Sequence, residues 1–471
     1  MQNFAPPDLD ADVIVVGAGP AGAATAAHLA RAGRDVLVVD RCTFPRDKIC
    51  GDFVGPVALR ELELLGLAGA PAIRDASVVP QAGLFLDGEH LITFPFEAEA
   101  GLPAFGRVVP RVALDAAILA GARTAGARLL EGAAVTGIDT AGDRAVLAVR
   151  CADGERTLRA RLVVGADGSG SSVARIVRGR TPPRDDLIVA VRAYYDGVAG
   201  PSDRCDVYFG GESFPGYAWI FPAGGGVANV GVGMVVETFP PAPERLDPLL
   251  QRLVERDAGM RARLGGARMI GRPAGWPLST FDESLDVVGE RVLLAGDAAS
   301  LVNPLNGEGI QYALCSGRWA AEAAVAALAA GDCSRAALLP YQHRVRAALH
   351  GDVAFARLIV RAIANRSLNG VWLGALRAVV ERARVDREYA RVTGGVVAGI
   401  VPAREALRPD IVTRSVAALS GAATDGALGA LARPLDALAA ACAPLIDAAA
   451  DPGGAARWAG RVRAALRAYL P

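Results

Sequence analysis

The chain has 471 residues, 52% of them hydrophobic, and its 50 basic and 50 acidic residues give a formal net charge of zero. This length suffices for two or three domains with large cores, and the balanced charge gives no electrostatic basis for binding nucleic acid or an anionic membrane. Seven cysteines without CxxC spacing and four dispersed histidines predict a reducing compartment and no metal site. The acidic, proline-containing start and the lack of a long uninterrupted apolar stretch predict a cytoplasmic protein without a transmembrane span, which is compatible with peripheral membrane contact.

The first informative segment covers residues 13–22 and reads VIVVGAGPAG. Its β-branched start is typical of a buried parallel strand. Gly17 would permit a tight turn, Gly19 would let backbone approach a pyrophosphate, and Gly22 would bring the next helix close to the strand. The helix, predicted over about 20–32, would direct free N–H groups at the phosphates. The predicted cofactor-binding residues of this segment are Gly17, Gly19, Ala21 and Gly22.

The next strand is predicted over residues 34–39 and ends at Asp40, followed by Arg41. An acid at this position can accept hydrogen bonds from the adenosine ribose hydroxyls. An aspartate rather than an arginine argues against a 2′-phosphate, so FAD or NAD fits better than NADP. We predict that both Asp40 and Arg41 contact the cofactor.

Residues 45–52 read PRDKICGD and are predicted to form a loop near the reactive end of the cofactor. Lys48 is the only lysine among the 50 basic residues, and a lysine differs from arginine in being a compact donor whose proton can be shared. Cys50, beside two basic residues, could have a lowered pKa and face the ring. We predict that Lys48 and Cys50 are catalytic; the alternative for Cys50 is a buried structural thiol.

Two later strands distinguish FAD from NAD. One leads into Ala-Asp-Gly at 166–168 and the other leads into Gly296-Asp297. A nicotinamide dehydrogenase needs neither segment, whereas the longer FAD must be held along its ribityl chain, which Asp297 could bind unless it only caps a helix. We predict that Asp167, Gly168 and Asp297 bind FAD. Arg111, at the start of a helical run, could contact the phosphates or the ribityl chain, or could be a surface cap.

The last glycine-rich segment, residues 303–309, reads NPLNGEG and precedes a helix predicted from about Ile310. Backbone N–H groups around Gly307 and Gly309 could face the pyrimidine edge of the flavin. The positive end of the following helix would stabilise a reduced, anionic flavin. Pro304, Gly307 and Gly309 complete the predicted FAD site.

The predicted fold class is α/β, with a Rossmann-like FAD-binding domain, an inserted antiparallel-sheet substrate domain and a helical C-terminal region. Alternating apolar residues over 187–195 and 217–236 predict the antiparallel sheet, and Ala, Leu and Arg at helical spacing follow it. The predicted FAD-binding domain comprises 1–75, 105–180 and 285–345, the substrate domain 76–104 and 181–284, and the helical region 346–471.

An aromatic segment in the predicted substrate domain reads GYAWIFP over residues 216–222. Alternate residues of a strand share one face, so Tyr217, Trp219 and Phe221 would lie together. In a chain with few aromatic residues, we predict that these three form a wall against an apolar substrate. The alternative is that they fill the core between sheet and helices.

The order GxGxxG, PRxKxCG, ADG, YxWxFP and GDAA…NPxxGEGI resembles the geranylgeranyl reductase family, within the p-hydroxybenzoate-hydroxylase-like superfamily of FAD enzymes. The resemblance runs from about Val13 to about Tyr341. It implies non-covalent FAD, an apolar and often isoprenoid substrate, and a cysteine at position 50. The chain departs from the family's pattern at Ser300, where glycine is common, and at residues 52–54, where small residues are common.

Three functions are compatible with these motifs. The first is reduction of a carbon–carbon double bond in an isoprenoid- or polyketide-like molecule by hydride from reduced flavin. The second is a flavin-dependent monooxygenase, and the third is a cyclase that keeps FAD as a scaffold without redox chemistry. Flavin halogenases share part of the pattern, but Tyr217 replaces their first tryptophan. Because there is no second GxGxxG unit, the reductant would be transiently docked NAD(P)H or a ferredoxin-like partner protein.

Overall fold

The computed structural model describes residues 9–98, 101–179, 187–238, 245–419, 458 and 460–464. Its strands are β1 (Ala11–Val16), β2 (Val36–Val39), β3 (Phe53–Val54), β4 (Ser77–Val79), β5 (Gln81–Leu86), β6 (Glu89–Pro95), β7 (Gly106–Val108), β8 (Arg128–Leu130), β9 (Ala134–Asp139), β10 (Ala145–Cys151), β11 (Gly154–Gly165), β12 (Leu187–Asp196), β13 (Arg204–Phe209), β14 (Tyr217–Gly224), β15 (Val227–Val235), β16 (Arg268–Ser279), β17 (Val288–Gly289) and β18 (Val292–Leu294). Its α-helices are α1 (Pro20–Arg31), α2 (Pro56–Leu64), α3 (Pro71–Arg74), α4 (Arg111–Thr124), α5 (Ser172–Arg178), α6 (Leu246–Arg256), α7 (Ala258–Leu264), α8 (Ile310–Ala330), α9 (Arg335–Leu349), α10 (Phe355–Ile363), α11 (Asn369–Val385) and α12 (Arg387–Val397).

The largest sheet has eight strands in the order β17–β18–β11–β1–β2–β8, with β10 and β9 continuing from β11. β1 pairs in parallel with β11 and β2, and β18 and β8 extend the parallel set on either side. All residues of β1, β2 and β18 are buried, as expected of central strands in a parallel sheet. The carboxyl ends of four parallel strands therefore meet at one edge, which is the edge that carries Gly17, Asp40, Asp167 and Asp297.

Helix α1 lies against α8 through small residues. Pro20 occupies the first turn of α1, where its fixed φ suits the helix and its missing N–H is not needed. The hydroxyl of Thr25 donates to the carbonyl oxygens of Ala21 at 2.8 Å and Gly317 at 3.1 Å. A Cβ atom on Gly317 would lie 2.6 Å from the Ala21 carbonyl oxygen. A glycine at this position of α8 lets the two helices approach closely and sets the position of α1 above the sheet.

The second sheet has seven strands in the order β16–β12–β15–β14–β13–β5–β6. Its pairs are antiparallel except for β13 with β5. Through this parallel pair, β5 and β6 belong to the same sheet as the later strands β12 to β16. One face of the sheet packs on α6 and α7, in a core that includes Ile220, Val232, Leu250 and Met260.

A third sheet has three strands in the order β3–β7–β4. In the sequence, its strands occur where the chain passes from one of the larger sheets to the other. Beyond α9, helices α11 and α12 pack against β6 of the second sheet. Val380 of α11 joins an apolar cluster with Leu91, and Ile400, just after α12, joins one with Phe96. A cavity of about 300 Å³ opens beside Phe94, Phe96 and Ile400.

Within the described ranges, none of the helices is long and apolar enough to cross a membrane.

This arrangement confirms the predicted α/β class with an added antiparallel sheet and a helical C-terminal region. Part of that predicted helical region, residues 420–457, lies outside the described residues.

Candidate active site

The turn between β1 and α1 contains glycines that larger residues could not replace. Gly17 has a φ of 102°, and a Cβ atom there would lie 2.3 Å from the carbonyl oxygen of Ala166. A Cβ atom on Gly22 would lie 1.8 Å from the carbonyl oxygen of Gly17. At Gly19, by contrast, the nearest atom to the Cβ position is a guanidinium nitrogen of Arg46 at 3.6 Å. The protein itself requires Gly17 and Gly22, whereas Gly19 leaves room for a ligand.

Asp40 follows β2, and its carboxylate points back to this turn. Its Oδ2 accepts a hydrogen bond from the Ala18 N–H at 2.6 Å, and its Oδ1 accepts one from the Cys42 N–H at 2.8 Å. Asp40 is buried, whereas the neighbouring Arg41 is exposed. A carboxylate with one backbone donor on each oxygen retains lone pairs for the two hydroxyl groups of a ribose.

Two arginines share one buried carboxylate beside the turn. The Arg111 guanidinium donates to both oxygens of Asp115 at 2.7 Å, and Arg46 Nη1 lies 2.7 Å from Asp115 Oδ2. Burial acts to lower the pKa of Arg111, but the effects of Asp115 and Cys50 outweigh burial, so this pKa is raised. Because Arg46 also approaches Gly19, this cluster brings positive charge to the turn. Sequence reasoning does not identify Arg46 as a cofactor contact, since no local pattern reports its proximity to Gly19.

Asp167 follows β11, and its carboxylate holds the start of α5. Its Oδ1 accepts from Ser171 Oγ at 2.5 Å, and its Oδ2 accepts from the Ser172 N–H at 2.7 Å and from Ser172 Oγ at 3.0 Å. Such bonds satisfy N–H groups that have no partner within the helix. Gly168 has a φ of 83° and turns the chain after Asp167. The side chain of Asp167 is thus a helix-capping group, which leaves the backbone of Asp167 and Gly168 for the predicted cofactor contact.

Lys48 and Asp297 form a partly buried ion pair. The Lys48 Nζ lies 3.1 Å from Asp297 Oδ2, which also accepts a hydrogen bond from Ser169 Oγ at 3.1 Å. Burial acts to raise the pKa of Asp297, but Lys48, Arg111 and Ser169 together outweigh burial, so this pKa is lowered. Asp297 Oδ1 lies 3.4 Å from the Cβ position of Gly309, at the start of α8. The structure therefore brings together the predicted catalytic lysine and the predicted ribityl-binding aspartate.

The loop before α8 is held mainly by its own side chains and backbone. Asn303 Oδ1 accepts from the Leu305 N–H at 2.9 Å, and the Gly307 N–H donates to the Asn303 carbonyl oxygen at 2.9 Å. Pro304 is buried, and Gly307 has a φ of 70°. The Gly307 N–H is thus bonded within the loop, and the contact of this segment with the flavin stays a prediction. Gly309 is the N-cap of α8.

The three aromatic residues of β14 lie in succession along one side of the strand. Ring centroids are 6.2 Å apart between Tyr217 and Trp219, and 6.0 Å apart between Trp219 and Phe221. Phe221 continues to Phe53 at 6.0 Å. A Cβ atom on Gly231, which faces Trp219 on β15, would lie 2.2 Å from the Trp219 ring. Glycine on the neighbouring strand is therefore what allows this indole to lie flat on the sheet.

Asn229 joins the aromatic wall to the Cys50 loop. Its Oδ1 accepts from Trp219 Nε1 at 2.9 Å, while its Nδ2 donates to the Cys50 carbonyl oxygen at 2.7 Å and to Asp52 Oδ2 at 2.8 Å. The Cβ position of Gly51 lies 3.2 Å from the Phe221 ring. Cys50 is thus held directly beside the wall. Asn229 is a second residue that sequence reasoning does not identify.

Ser300, where the chain departs from the family's usual glycine, follows the short 3₁₀-helix Gly296–Ala299. Its φ of 63° explains the preference for glycine at this position. The Ser300 hydroxyl accepts a hydrogen bond from Arg178 Nη1 at 3.0 Å.

The residues at this edge fit FAD. Helices α1 and α8 both have a glycine as the N-cap, and neither start has a side-chain cap hydrogen bond among the described residues. Their first-turn N–H groups, with the nearby arginines, are suited to phosphate oxygens and to the electron-rich edge of a flavin. The open Cβ side of Gly19 and the free lone pairs of Asp40 suit a pyrophosphate and a ribose.

Comparison with known proteins identifies the family. Residues 10–188 match the model of an FAD binding domain, and residues 186–265 match the model of the geranylgeranyl reductase catalytic domain. The menaquinone reductase of Mycobacterium tuberculosis (strain ATCC 25618 / H37Rv) is 39% identical over 326 residues, which cover 67% of this chain and 76% of the relative. The chain belongs to the geranylgeranyl reductase family. It is therefore an FAD-dependent oxidoreductase, as the motifs predict.

Other members of the family and solved structures are consistent with this assignment. The geranylgeranyl diphosphate reductase of Rhodobacter capsulatus is 32% identical over 329 residues, covering 68% of this chain and 76% of the relative. The solved structure of a geranylgeranyl bacteriochlorophyll reductase-like protein from Thermoplasma acidophilum superimposes with a TM-score of 0.65 at 22% identity, covering 86% of this chain and 96% of the other. The flavin-dependent halogenase CmlS gives a TM-score of 0.65 at 25% identity, covering 75% of this chain and 64% of the other. These likenesses support the Rossmann-like FAD-binding fold.

Proposed function

We propose that this chain is an FAD-dependent reductase that saturates a carbon–carbon double bond in an isoprenoid chain. The observation that carries the proposal is the aromatic wall of Tyr217, Trp219 and Phe221 beside the Cys50 loop, at the edge that fits FAD. Tyr217 and Phe221 are partly exposed and flank the buried Trp219, so the row provides an apolar face without ionic partners, which suits a hydrocarbon chain. Reduced FAD, when bound, supplies the hydride for this reaction.

The proposed cofactor contacts follow from the geometry of the edge. The α1 N-terminus with Gly17, Gly19, Ala21 and Gly22 would bind the pyrophosphate, supported by Arg46 and Arg111. Asp40 would bind the adenosine ribose, with Arg41 at the solvent side. Asp297 would bind ribityl hydroxyls, and Pro304, Gly307 and Gly309 would shape the loop over the ring.

The proposed roles of Cys50 and Lys48 differ. Cys50 would lie beside the reacting carbons, because Asn229 fixes its backbone against Trp219. Lys48 would act at the cofactor, since its ammonium group compensates the charge of Asp297 and can share a proton there.

We further propose that the substrate is a polyprenyl quinone or a similar membrane lipid. The support is the sequence similarity to menaquinone reductases at 39% identity, compared with 33% for the digeranylgeranylglycerophospholipid reductase 1 of Methanopyrus kandleri over 354 residues. A substrate dissolved in a bilayer would require peripheral membrane contact, and electrons would arrive from NAD(P)H or a ferredoxin-like protein.

We also propose that the domain boundaries follow the prediction from sequence. The presence of β5 and β6 in the same sheet as β12–β16 supports the assignment of 76–104 and 181–284 to one substrate domain. The position of β1, β2, β8, β11 and β18 in one parallel sheet supports the discontinuous FAD-binding domain.

An anaerobic flavin assay tests the proposed reaction. The FAD-loaded protein is reduced and mixed, without oxygen, with menaquinone carrying an unsaturated polyprenyl chain or with geranylgeranyl diphosphate. Substrate-driven return of the oxidised flavin spectrum is expected. Reoxidation only after admission of oxygen, with an oxygen atom in the product, would instead indicate a monooxygenase. Product formation with fully oxidised flavin would indicate the non-redox cyclase.

A further inference from the structure

Glu308 places a carboxyl group in an enclosed space at the end of the loop before α8. A Cβ atom on Gly55 would lie 3.4 Å from Glu308 Oε1 and equally close to the Phe53 ring. On the other side, a Cβ atom on Gly399 would lie 2.6 Å from Glu308 Oε2. Gly399 belongs to the turn after α12 and has a φ of 70°. The carboxyl group is therefore closed in by β3 and its following turn on one side and by the C-terminal region on the other.

This carboxyl group is not compensated by a partner. Although the residue as a whole is partly exposed, Glu308 Oε1 is buried and accepts no hydrogen bond from any described residue. Arginines compensate other acids of this region, such as Asp115, but burial alone acts on Glu308 and raises its pKa to about 8. A buried carboxyl group without a cation or donor is more stable when it is protonated. Glu308 thus carries a proton at neutral pH.

The same carboxyl group lies close to the aromatic wall and the cysteine. The Tyr217 hydroxyl donates a hydrogen bond to the carbonyl oxygen of Asn306, two residues before Glu308. Burial raises the pKa of Tyr217, and negative charge on Glu308 or Cys50 raises it further, which reflects the proximity of both groups. Tyr217 is therefore close to both the Glu308 carboxyl group and the Cys50 thiol, on the surface proposed to hold the substrate.

We propose that Glu308 is the acid that supplies the proton consumed when the double bond is reduced. This inference rests on the proposed reductase function. The π bond breaks, one carbon receives the hydride that reduced FAD supplies, and the other receives the carboxyl proton of Glu308. The flavin is thereby oxidised by two electrons, and Glu308 is left as a carboxylate that regains its proton from solvent.

Infrared difference spectroscopy of the FAD-loaded protein tests whether Glu308 holds a proton, without any turnover. The carbonyl stretch of a protonated carboxylic acid is expected at pH 6 and 7 and should disappear as the pH rises through about 8. Glu308→Gln should remove this band. The control is Glu388→Gln, because Arg391 and Arg408 lower the pKa of Glu388 to about 2 and its replacement should leave the band unchanged. A Glu308→Gln protein whose carbonyl band is as strong as that of the wild type, or a wild type without a band that disappears near pH 8, would overturn the proposal.

Single turnover under anaerobic conditions with unsaturated menaquinone tests the role in the reaction. Loss of a general acid typically slows a reaction by about 10²–10⁴-fold, so Glu308→Gln should reduce the rate of flavin reoxidation by at least about 10²-fold. FAD affinity should be unchanged, and Glu308→Asp should recover part of the rate. In the wild type the rate should fall as the pH rises through about 8.

The outcomes separate the two proposals. A wild-type protein that holds the Glu308 proton but reduces none of the isoprenoid substrates would overturn the proposed function, and with it the role of Glu308. If Glu308→Gln reduces the substrate as fast as the wild type and with the same pH profile, the role of Glu308 alone is overturned.

Discussion

Asp52 shows how a departure from the family's pattern is accommodated at the scale of one residue. Its side chain is fully buried and its φ is 65°. Burial raises the pKa of Asp52, but Tyr194 donates to its Oδ2 at 2.5 Å and Asn229 at 2.8 Å, which offsets part of that effect. Through Asn229 this acid also fixes the Cys50 carbonyl group and the Trp219 indole. A buried network of this kind is stable only when every member keeps its partners.

Removal of Asn229 should therefore be costly. Asn229→Ala leaves the Trp219 N–H, the Cys50 carbonyl and one donor to Asp52 without a partner, and we expect a loss of about 2–4 kcal/mol in the free energy of unfolding. Chemical denaturation of the FAD-loaded protein measures this change. Gln251→Ala removes an exposed hydrogen bond on α6 and should cost under about 0.5 kcal/mol. Equal effects of the two variants would contradict the network.

The raised pKa of Glu308 also predicts how stability depends on pH. Between the usual value of 4.5 and about 8, the folded state holds a proton that the unfolded state has released. Stability is therefore lost as the pH rises through this window, by a few kcal/mol at most. Glu308→Gln removes this loss, so the melting temperature of the variant relative to wild type should rise between pH 5 and pH 8.5. A constant difference between the two proteins over this range would exclude a raised pKa.

At the scale of elements, the position of α1 depends on α8. The Thr25 hydroxyl bridges both helices, and Gly317 lies against the backbone of Ala21. Since α1 carries the N-terminus proposed to bind the pyrophosphate, a shift of α1 would move that anion site. Packing of α1 on α8 and binding of FAD are therefore coupled.

Alanine substitutions at two helical glycines distinguish the effect of close helix packing on stability from the effect of helix propensity. Alanine at Gly317 would place a Cβ atom 2.6 Å from the Ala21 carbonyl oxygen, so we expect Gly317→Ala to destabilise the protein by about 1–3 kcal/mol and to weaken FAD binding. At Gly374 in α11 a Cβ atom meets no described atom within 4 Å. Gly374→Ala should therefore stabilise by about 0.5–1 kcal/mol. Thermal unfolding and FAD titration measure both effects; a stabilising Gly317→Ala would contradict the close approach.

Prediction from sequence succeeded where the signal is local. The spacing of Gly17, Gly19 and Gly22 reports a strand, a turn and a helix that are contiguous in the chain, and the parallel strands follow from apolar runs. Ser171, the N-cap of α5, is likewise a local signal, since its side chain accepts a hydrogen bond from the Ala174 N–H three residues later. Contacts of Arg46 with Gly19, or of Asn229 with Cys50, join distant parts of the chain. Only the assembled sheets bring such residues together, so no periodicity or spacing predicts them.

At the scale of the whole molecule, three parts of the chain meet at the proposed substrate surface. The loop before α8 contributes Glu308, the second sheet contributes the aromatic wall, and the C-terminal region contributes Gly399. Asn306 Nδ2 also donates to the Val397 carbonyl oxygen at 3.3 Å, which ties the loop to α12. The C-terminal region thus adjoins the proposed site, although neither family model matches beyond residue 265.

The central claim is that the assembled enzyme reduces a carbon–carbon double bond with electrons from FAD. Mass spectrometry of the product after an anaerobic single turnover tests it most directly, with reduced FAD-loaded protein and menaquinone that carries an unsaturated polyprenyl chain. We expect a product that has gained two hydrogen atoms and no oxygen, in an amount equal to the flavin oxidised. Unchanged lipid, or a product that forms only with oxygen and contains an atom of it, would show that the protein is not such a reductase.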